Sequence, residues 1–306
     1  MLRRALLALA ASEQIREVVT TTSATRAVVD RYVAGESISD AVRVARSLRA
    51  AGLLVTLDYL GEDATDSRRA ADTAMQYVQL LGKLAAEGLT DDGAVEASVK
   101  PTAVGLLLSE RMAGDHIERI AIAAREAGTT VTVDAEDHTT TDAGLRIATA
   151  VRSRLPFVGS VVQASLRRTE ADMRELAAPG VRVRLCKGAY AEPVSEAFTS
   201  KHDIDKSFAR CLRILMSGPG FPMIATHDPR LIEITRSLGL HRPPGSFEHQ
   251  MLYGVRPAEQ RRLAAAGAQV RVYVPYGSDW YGYLVRRLAE RPANLAFFLR
   301  SLWSVS

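Results

Sequence analysis

The stretch that decides the fold is Arg271–Leu302, which reads RVYVPYGSDWYGYLVRRLAERPANLAFFLRSL. Its first residues alternate valines with Arg271 and Tyr273, which is the pattern of a β-strand, and a proline and a glycine then end the strand. A helical pattern follows at 280–290. A strand that leads directly into a helix is one unit of an α/β fold, and the rest of the chain repeats this unit.

Strand and helix patterns alternate along the chain. The predicted strands are 53–60, 95–100, 130–135, 157–164, 181–187, 222–226, 246–252 and 269–275. The predicted helices between and after them are 67–86, 115–127, 141–152, 170–176, 206–216, 229–238, 257–266 and 280–290. Single helices between strands indicate right-handed βαβ units and parallel pairing, and eight units fit a (β/α)8 barrel of the TIM type. We predict one domain over 1–306, with N-terminal helices in 1–50 and the barrel in 51–306.

Composition and missing motifs exclude several function classes. The 306 residues carry a net charge of only +4, and the basic residues are scattered, so nucleic-acid binding is not indicated. Neither G-x-G-x-x-G nor a Walker motif occurs, which disfavours nicotinamide cofactors and triphosphatases. The six histidines and two cysteines show no metal-ligand spacing, so we predict no metal site and free thiols. No apolar run approaches the ~20 residues of a membrane span, and we expect a cytoplasmic protein.

Polar residues stand at the predicted carboxyl ends of the strands, where barrel enzymes place their chemistry. These residues are Lys100, Asp134, Gln163, Arg184, Lys187, Thr226, His227 and Tyr273. On the last helix, four residues three or four positions apart project from neighbouring sides: Tyr283, Arg286, Arg287 and Glu290. Paired guanidiniums suit a carboxylate or phosphate, although a solvated basic helix face has the same spacing. The set favours an anionic substrate beside a redox cofactor.

The segment Arg271–Leu302 resembles the C-terminal signature of the proline dehydrogenase family, flavoenzymes that oxidise L-proline, in their small monofunctional bacterial form. Six further segments resemble the same family in the same order. They are SVKPTAVGL at 98–106, VTVDAEDH at 131–138, VVQASLRR at 161–168, VRVRLCKGAY at 181–190, IATHD at 224–228 and FEHQMLYG at 247–254.

The resemblance implies an FAD that lies across the strand ends. The implied FAD contacts are Ala135, Gln163, Arg184, Lys187, Gly188, Ala189, Thr226 and His227. Arg184 would lie near flavin N5 and act in catalysis together with Asp134. Gln163 would bind the pyrimidine ring, and Lys187 with the backbone after it would reach the ribityl or pyrophosphate groups.

The resemblance also implies how proline is held and where its electrons go. Lys100, Arg286 and Arg287 would bind the carboxylate, with Asp134 orienting Lys100 and Glu290 orienting Arg287. The side chains that would pack around the ring are Tyr273, Tyr283 and Leu252. The product would be Δ1-pyrroline-5-carboxylate, with a separate dehydrogenase for it as a further partner. Electrons would pass to a membrane quinone, reached by peripheral contact with the inner membrane face, for which 2–11 is the candidate segment.

Three positions depart from the family pattern, and three other functions stay open. Ser165 stands where an aromatic residue is common, Asp228 replaces an asparagine, and His249 replaces an apolar residue. Asp228 adds negative charge near the expected phosphates. The alternatives are a hydroxyproline dehydrogenase, which Tyr273 argues against, a non-flavin barrel enzyme for a phosphorylated substrate, and a barrel that only binds a small anion.

Overall fold

Eight parallel strands close into a barrel, and a helix follows each strand. The computed structural model describes the backbone of residues 29–289 and the side chains of residues 29–284. The strands are β1 Leu54–Tyr59, β2 Val95–Val99, β3 Val131–Val133, β4 Val158–Gln163, β5 Arg182–Cys186, β6 Phe221–Ala225, β7 Glu248–Leu252 and β8 Val270–Tyr276. Each strand pairs with the next in parallel register, and β1 also pairs with β8, which closes the barrel. The predicted TIM-type barrel is therefore confirmed, with strand bounds within two residues of the prediction.

The helices form a layer around the barrel. They are α1 Ile38–Ala50, α2 Ser67–Ala86, α3 Glu110–Glu126, α4 Thr141–Arg152, α5 Thr169–Leu176, α6 Lys201–Ser217, α7 Pro229–Gly239, α8 Pro257–Ala265 and α9 Trp280–Ala289. Helix α1 precedes β1 and packs against β1 and β8. The predicted helices in residues 1–28 lie outside the described residues.

Two helices begin five residues earlier than the sequence analysis predicted. In α3 the side chain of Ser109 accepts a hydrogen bond from the backbone N–H of Met112, and in α6 Ser200 does the same for Asp203. Each serine satisfies a backbone donor that the first helical turn leaves without a partner. These capping residues precede the apolar periodicity, so a prediction based on periodicity alone starts too late.

The apolar core lies between the strands and the helices. Because successive strand residues point to opposite faces, each strand sends every second side chain outward under the helix layer. The outward residues include Val55, Val95, Val131, Leu185 and Val272, all fully or almost fully buried. The other face of each strand points into the barrel, and its carboxyl end supplies the site described below.

Candidate active site

A cavity of about 460 Å³ lies at the carboxyl ends of the strands. It falls within the size range of small-molecule and cofactor sites. Residues from the ends of all eight strands and from α9 line it: Asp58, Glu62, Lys100, Asp134, Ala135, Val161, Gln163, Arg184, Cys186, Lys187, Gly188, Ala189, Tyr190, Ala225, Thr226, His227, Asp228, Gln250, Met251, Leu252, Tyr273 and Tyr283. The barrel therefore brings together residues that lie more than 200 positions apart in the chain.

Lys100 forms an ion pair with Asp58 in one wall of the cavity. Its Nζ lies 2.6 Å from Oδ2 of Asp58, and both residues are buried. Burial alone lowers the pKa of Lys100, but the carboxylates of Asp58 and Asp134 raise it above its ordinary value. The lysine is thus held as a cation at the cavity wall.

The structure corrects the role that the sequence analysis gave to Asp134. The residue that hydrogen-bonds Lys100 is Asp58, whereas Asp134 accepts hydrogen bonds from Nη1 of Arg184 at 2.7 Å and from the Tyr273 hydroxyl at 2.9 Å. Asp134 therefore orients Arg184 and Tyr273, and it acts on Lys100 only through its charge. Burial and the Asp134 carboxylate raise the pKa of Tyr273, so its phenol stays neutral and donates.

Arg184 on β5 is fixed by partners on β2, on β7 and after β3, which it reaches across the inside of the barrel. Its Nε donates to Oε1 of Gln250 at 2.6 Å, and its Nη1 donates to the Ser98 hydroxyl at 3.0 Å as well as to Asp134. The guanidinium also lies over the ring of Tyr273, 5.2 Å from its centroid. Only 4% of Arg184 is exposed, so this charge is held at the floor of the cavity in one orientation.

Gly188, in the loop after β5, lines the cavity. Its φ of +99° is a conformation that favours glycine, and a Cβ there would lie 2.1 Å from the Ser165 hydroxyl and 3.3 Å from Oε1 of Gln163. Gln163 is held beside it, because its Nε2 donates to the backbone carbonyl of Glu136 at 2.6 Å. The glycine lets the loop that follows β5 pack directly against Ser165 and Gln163, and it also lines the cavity.

Lys187 belongs to an ionic cluster at the rim of the cavity. Its Nζ lies 2.5 Å from Oδ1 of Asp205 and 3.1 Å from Oδ2 of Asp228. Asp228 also caps α7 by accepting from the backbone N–H of Arg230, whose side chain pairs with both carboxylates. Hydrogen bonds from Arg230 and Lys187 hold the pKa of Asp228 well below its usual range. The negative charge of Asp228 is therefore balanced by fixed cations.

Thr226 and His227 directly follow β6, and His227 binds the neighbouring strand β7. Nε2 of His227 accepts a hydrogen bond from the backbone N–H of Leu252 at 2.9 Å, which fixes its proton on Nδ1 when the ring is neutral. The carbonyl of His227 accepts from Arg256 at 2.6 Å. The hydroxyl of Thr226 accepts from the backbone N–H of Asp228 at 3.2 Å. These contacts give the wall after β6 a fixed shape.

Most of the residues named from the sequence meet in this cavity. The exceptions are on or beyond the last helix: the side chains of Arg286 and Arg287, and the whole of Glu290, lie outside the described residues. Asp58 and Gln250 also line the cavity but are not among the residues predicted from the sequence. Both occupy inward positions that the strict alternation of β1 and β7 would have identified, because each lies two residues from another inward polar residue.

The described part of the chain contains neither a metal-binding cluster nor a membrane-spanning helix. Across 29–289 no group of three or more His, Cys, Asp and Glu side chains is arranged to hold a metal ion. Within the same part of the chain no helix is both long and apolar enough to cross a bilayer. Cys186 and Cys211 are free thiols.

Comparison with known proteins identifies relatives of the whole barrel. A family model described as proline dehydrogenase matches residues 41–300. Proline dehydrogenase 1 of Bacillus subtilis (strain 168) is 38% identical over 280 residues, which is 91% of each chain. The proline dehydrogenase of Deinococcus radiodurans is 34% identical over 282 residues, 90% of each chain. Among solved structures, proline utilization A (PutA) from Bdellovibrio bacteriovorus, inactivated by N-propargylglycine, is similar with a TM-score of 0.79 and 26% identity. That match covers 87% of this chain, which spans only 33% of the PutA chain.

Proposed function

The chain belongs to the proline dehydrogenase family of proline-oxidising enzymes, and from this premise we propose that it uses FAD, forms Δ1-pyrroline-5-carboxylate and passes electrons to a membrane quinone. The observation that carries the proposal is the convergence of Lys100, Asp134, Arg184 and Tyr273 on one cavity. A charged, buried floor of this kind suits an anionic substrate beside a cofactor that performs the redox chemistry.

The residues at the cavity fit FAD in shape and in chemistry. Gly188 and Ala189 line the cavity, and their small size leaves room for a ligand beside the loop after β5. Gln163 offers an amide for a ring edge, and Lys187 lies at the rim where a pyrophosphate could reach it. The proposed cofactor contacts are those named from the sequence: Ala135, Gln163, Arg184, Lys187, Gly188, Ala189, Thr226 and His227. When bound, FAD would accept the hydride that leaves C5 of proline.

The protein's own part in the reaction is to bind, orient and balance charge. Lys100, kept protonated by Asp58, would bind the substrate carboxylate, and we propose that Arg286 and Arg287 complete this carboxylate site. The side chains of Tyr273, Tyr283 and Leu252 would enclose the pyrrolidine ring. As the C5–H bond breaks, the ring nitrogen loses a proton and the C5–N bond becomes double. Asp134 would keep Arg184 and Tyr273 in place through this change.

The proposal for the electron acceptor rests on the family alone. We propose that the reduced cofactor is reoxidised by a membrane quinone during peripheral contact with the membrane, to which the positive net charge would contribute weakly. The candidate contact segment, 2–11, lies outside the described residues. Proline-dependent reduction of a soluble quinone, measured with and without anionic vesicles, tests this step. Rapid reduction of NAD with quinones inert would contradict it.

The decisive experiment for FAD and proline is anaerobic reduction of the purified protein. Protein reconstituted with FAD should lose its flavin absorption band when L-proline is added without oxygen. A folded, FAD-loaded protein that keeps the band would overturn the proposal. The same assay with 4-hydroxyproline distinguishes the hydroxyproline alternative, because the favoured substrate bleaches the band faster.

The arginine pair gives the first mutational test. Arg286→Met or Arg287→Met should raise KM for proline about tenfold or more, because a charge-assisted carboxylate contact is worth roughly 1.5–3 kcal/mol. Arg261→Met, which changes an exposed arginine on α8, is the matched control and should leave KM unchanged. Normal KM in both test variants would assign the pair to a solvated helix face.

A further inference from the structure

Glu136 lies directly behind the cavity wall and is buried, with only 6% of the residue exposed. It follows β3 by three residues, and its neighbours Asp134 and Ala135 line the cavity. A carboxyl group in such a place must be hydrogen-bonded to be tolerated. Its partners show what the residue holds together.

The carboxyl group of Glu136 binds Thr102 twice. One oxygen accepts from the backbone N–H of Thr102 at 2.9 Å, and the other accepts from its hydroxyl at 2.5 Å. Thr102 opens the short 3-10 helix Thr102–Val104, so its N–H has no partner within that helix. Because Thr102 follows Lys100 by two residues, the carboxyl group fixes the turn from which the cationic lysine extends.

Thr102 passes the connection on to the loop after β1. Its hydroxyl accepts from the backbone N–H of Asp63 at 3.1 Å, and its carbonyl accepts from the backbone N–H of Ala64 at 3.0 Å. Asp63 has a φ of +51°, a conformation that needs support in a residue with a side chain. The residue before it, Glu62, lines the cavity.

The backbone of Glu136 makes the third connection. Its carbonyl accepts from Nε2 of Gln163 at 2.6 Å, so the amide of Gln163 depends on where the loop after β3 lies. From the loop after β3, this residue therefore joins three other parts of the cavity wall, namely the loops after β1 and β2 and the end of β4. None of these bonds uses a cavity-facing atom of Glu136.

We propose that Glu136 is a positioning residue that sets the places of Lys100, Glu62 and Gln163 for proline and cofactor. The inference rests on the proposed function for its kinetic consequence, although the connection between the loops stands on geometry alone. Burial raises the pKa of Glu136 to about 7, so a glutamine, which resembles the neutral acid in shape, should replace it well.

The test compares Glu136→Ala, Glu136→Gln and a matched control in the FAD-loaded, full-length protein. Glu136→Ala should speed amide hydrogen exchange at 62–64 and 102–105 by roughly tenfold or more, because Thr102, which binds the loop after β1, loses both of its bonds to the carboxyl group. KM for proline should rise by roughly tenfold, with a smaller change in kcat. Glu136→Gln should restore exchange and KM to within about threefold of wild type, since its amide oxygen can still accept from the Thr102 N–H and its NH2 group can donate to the Thr102 hydroxyl.

Thr129→Ala is the control, because Thr129 is also buried but lies at the opposite end of β3, where its hydroxyl donates to the carbonyl of Val95 at 2.8 Å. It should lower the melting temperature without changing loop exchange or KM. Unchanged exchange in Glu136→Ala, or an equal rise in KM in Thr129→Ala, would overturn the proposal. If wild-type protein fails to oxidise proline, the proposed function falls while the exchange data still decide whether Glu136 holds the loops.

Discussion

The outward face of the barrel wall carries mainly apolar side chains, whereas the inward face carries many charged and polar ones. The outward face of β2 carries Val95 and Val99 beneath the helix layer, while its inward face carries Glu96 and Ser98. In TIM barrels the interior is usually packed with branched aliphatic side chains. Here the interior holds a charged network, with Arg182 at 2.9 Å from Glu96 and further arginines around it.

The inner network is tied together by specific bonds. Glu96 also accepts from the Thr56 hydroxyl at 2.8 Å, and Nε of Arg271 lies 2.8 Å from Glu248. Gln250 donates to Glu248 and accepts from Arg184, so the network continues up to the cavity floor. Apolar packing on the outer face needs only the right residue class, whereas the inner face needs each partner in place. The inner face therefore holds the charges of the site in fixed positions.

Glu96→Gln should disrupt the charged network of the inner face and cause the largest loss of stability. Burial alone would raise the pKa of Glu96, but Arg271, Arg182 and Arg184 lower it to about 2, so the carboxylate is the charge that balances them. Removing it leaves buried guanidiniums unpaired and should cost about 3–5 kcal/mol of unfolding free energy. Urea denaturation at pH 7 measures this loss.

The control for Glu96→Gln lies next to it on the outer face. Val95→Ala removes about two buried methyl groups and should lower the free energy of unfolding by about 2 kcal/mol. The depressed pKa of Glu96 also predicts how the stability of the protein depends on pH. The contribution of Glu96 to the free energy of unfolding is present above about pH 4.5 and is lost as the pH falls toward 2. Glu96→Gln should lack this loss. A smaller loss in Glu96→Gln than in Val95→Ala would refute the contrast between the faces.

Asp134→Asn tests the point where the inner network reaches the cavity. The variant keeps the shape but loses the charge that Arg184 and Tyr273 share, so kcat/KM for proline should fall roughly 10- to 150-fold, equivalent to about 1.5–3 kcal/mol. Ser98→Ala removes a neutral partner of the same guanidinium and should lower kcat/KM for proline by less than about tenfold. Equal losses in the two variants would mean that the charge of Asp134 has no special part.

The difference between the faces also explains what the sequence could predict. The eight strands were predicted to within two residues, because Val95, Val131 and Val272 follow a period that depends only on local order. The starts of α3 and α6 were wrong because Ser109 and Ser200 lie before the apolar pattern begins. Cap signals of this kind are readable and should be weighed with periodicity.

The pairing inside the barrel could not be predicted in the same way. Lys100, directly after β2, has a carboxylate to either side, Asp58 on β1 and Asp134 directly after β3. Which of them it meets depends on the stagger of the closed barrel, which no local pattern contains. The hydrogen bonds of Glu136 could not be predicted from the sequence either, because they join loops that are distant in the chain. The positions of site residues were thus predictable, but their partners were not.

His249 is a polar residue on the outward face of β7, and its replacement should give the smallest effect at neutral pH. It lies on β7 beside Phe247, with ring centroids 5.7 Å apart, and neither ring nitrogen has a hydrogen-bond partner among the described residues. Burial lowers its pKa to about 4, and the charged groups near it from α7 and α8 are Arg236, Glu233 and Glu259. His249→Leu should therefore stabilise the protein by about 1 kcal/mol at pH 7, since an unsatisfied polar group becomes apolar.

The gain from His249→Leu should grow as the pH falls. The folded-state pKa is depressed, so between about pH 6.5 and 4 the unfolded chain binds the extra proton and wild type loses stability, by roughly 2 kcal/mol at pH 5. Leucine cannot titrate and should escape this loss. Met251→Leu, an equally buried change on the same face of β7, should show a difference from wild type that does not vary with pH. If the free energy of unfolding changes with pH in the same way for wild type and for His249→Leu, then the histidine binds water or a protein group in solution. The outward face would in that case accept a polar residue without loss of stability. Diverging curves would establish that this face accepts His249 only while it is neutral, in contrast to the inner face, where stability requires that the charges remain.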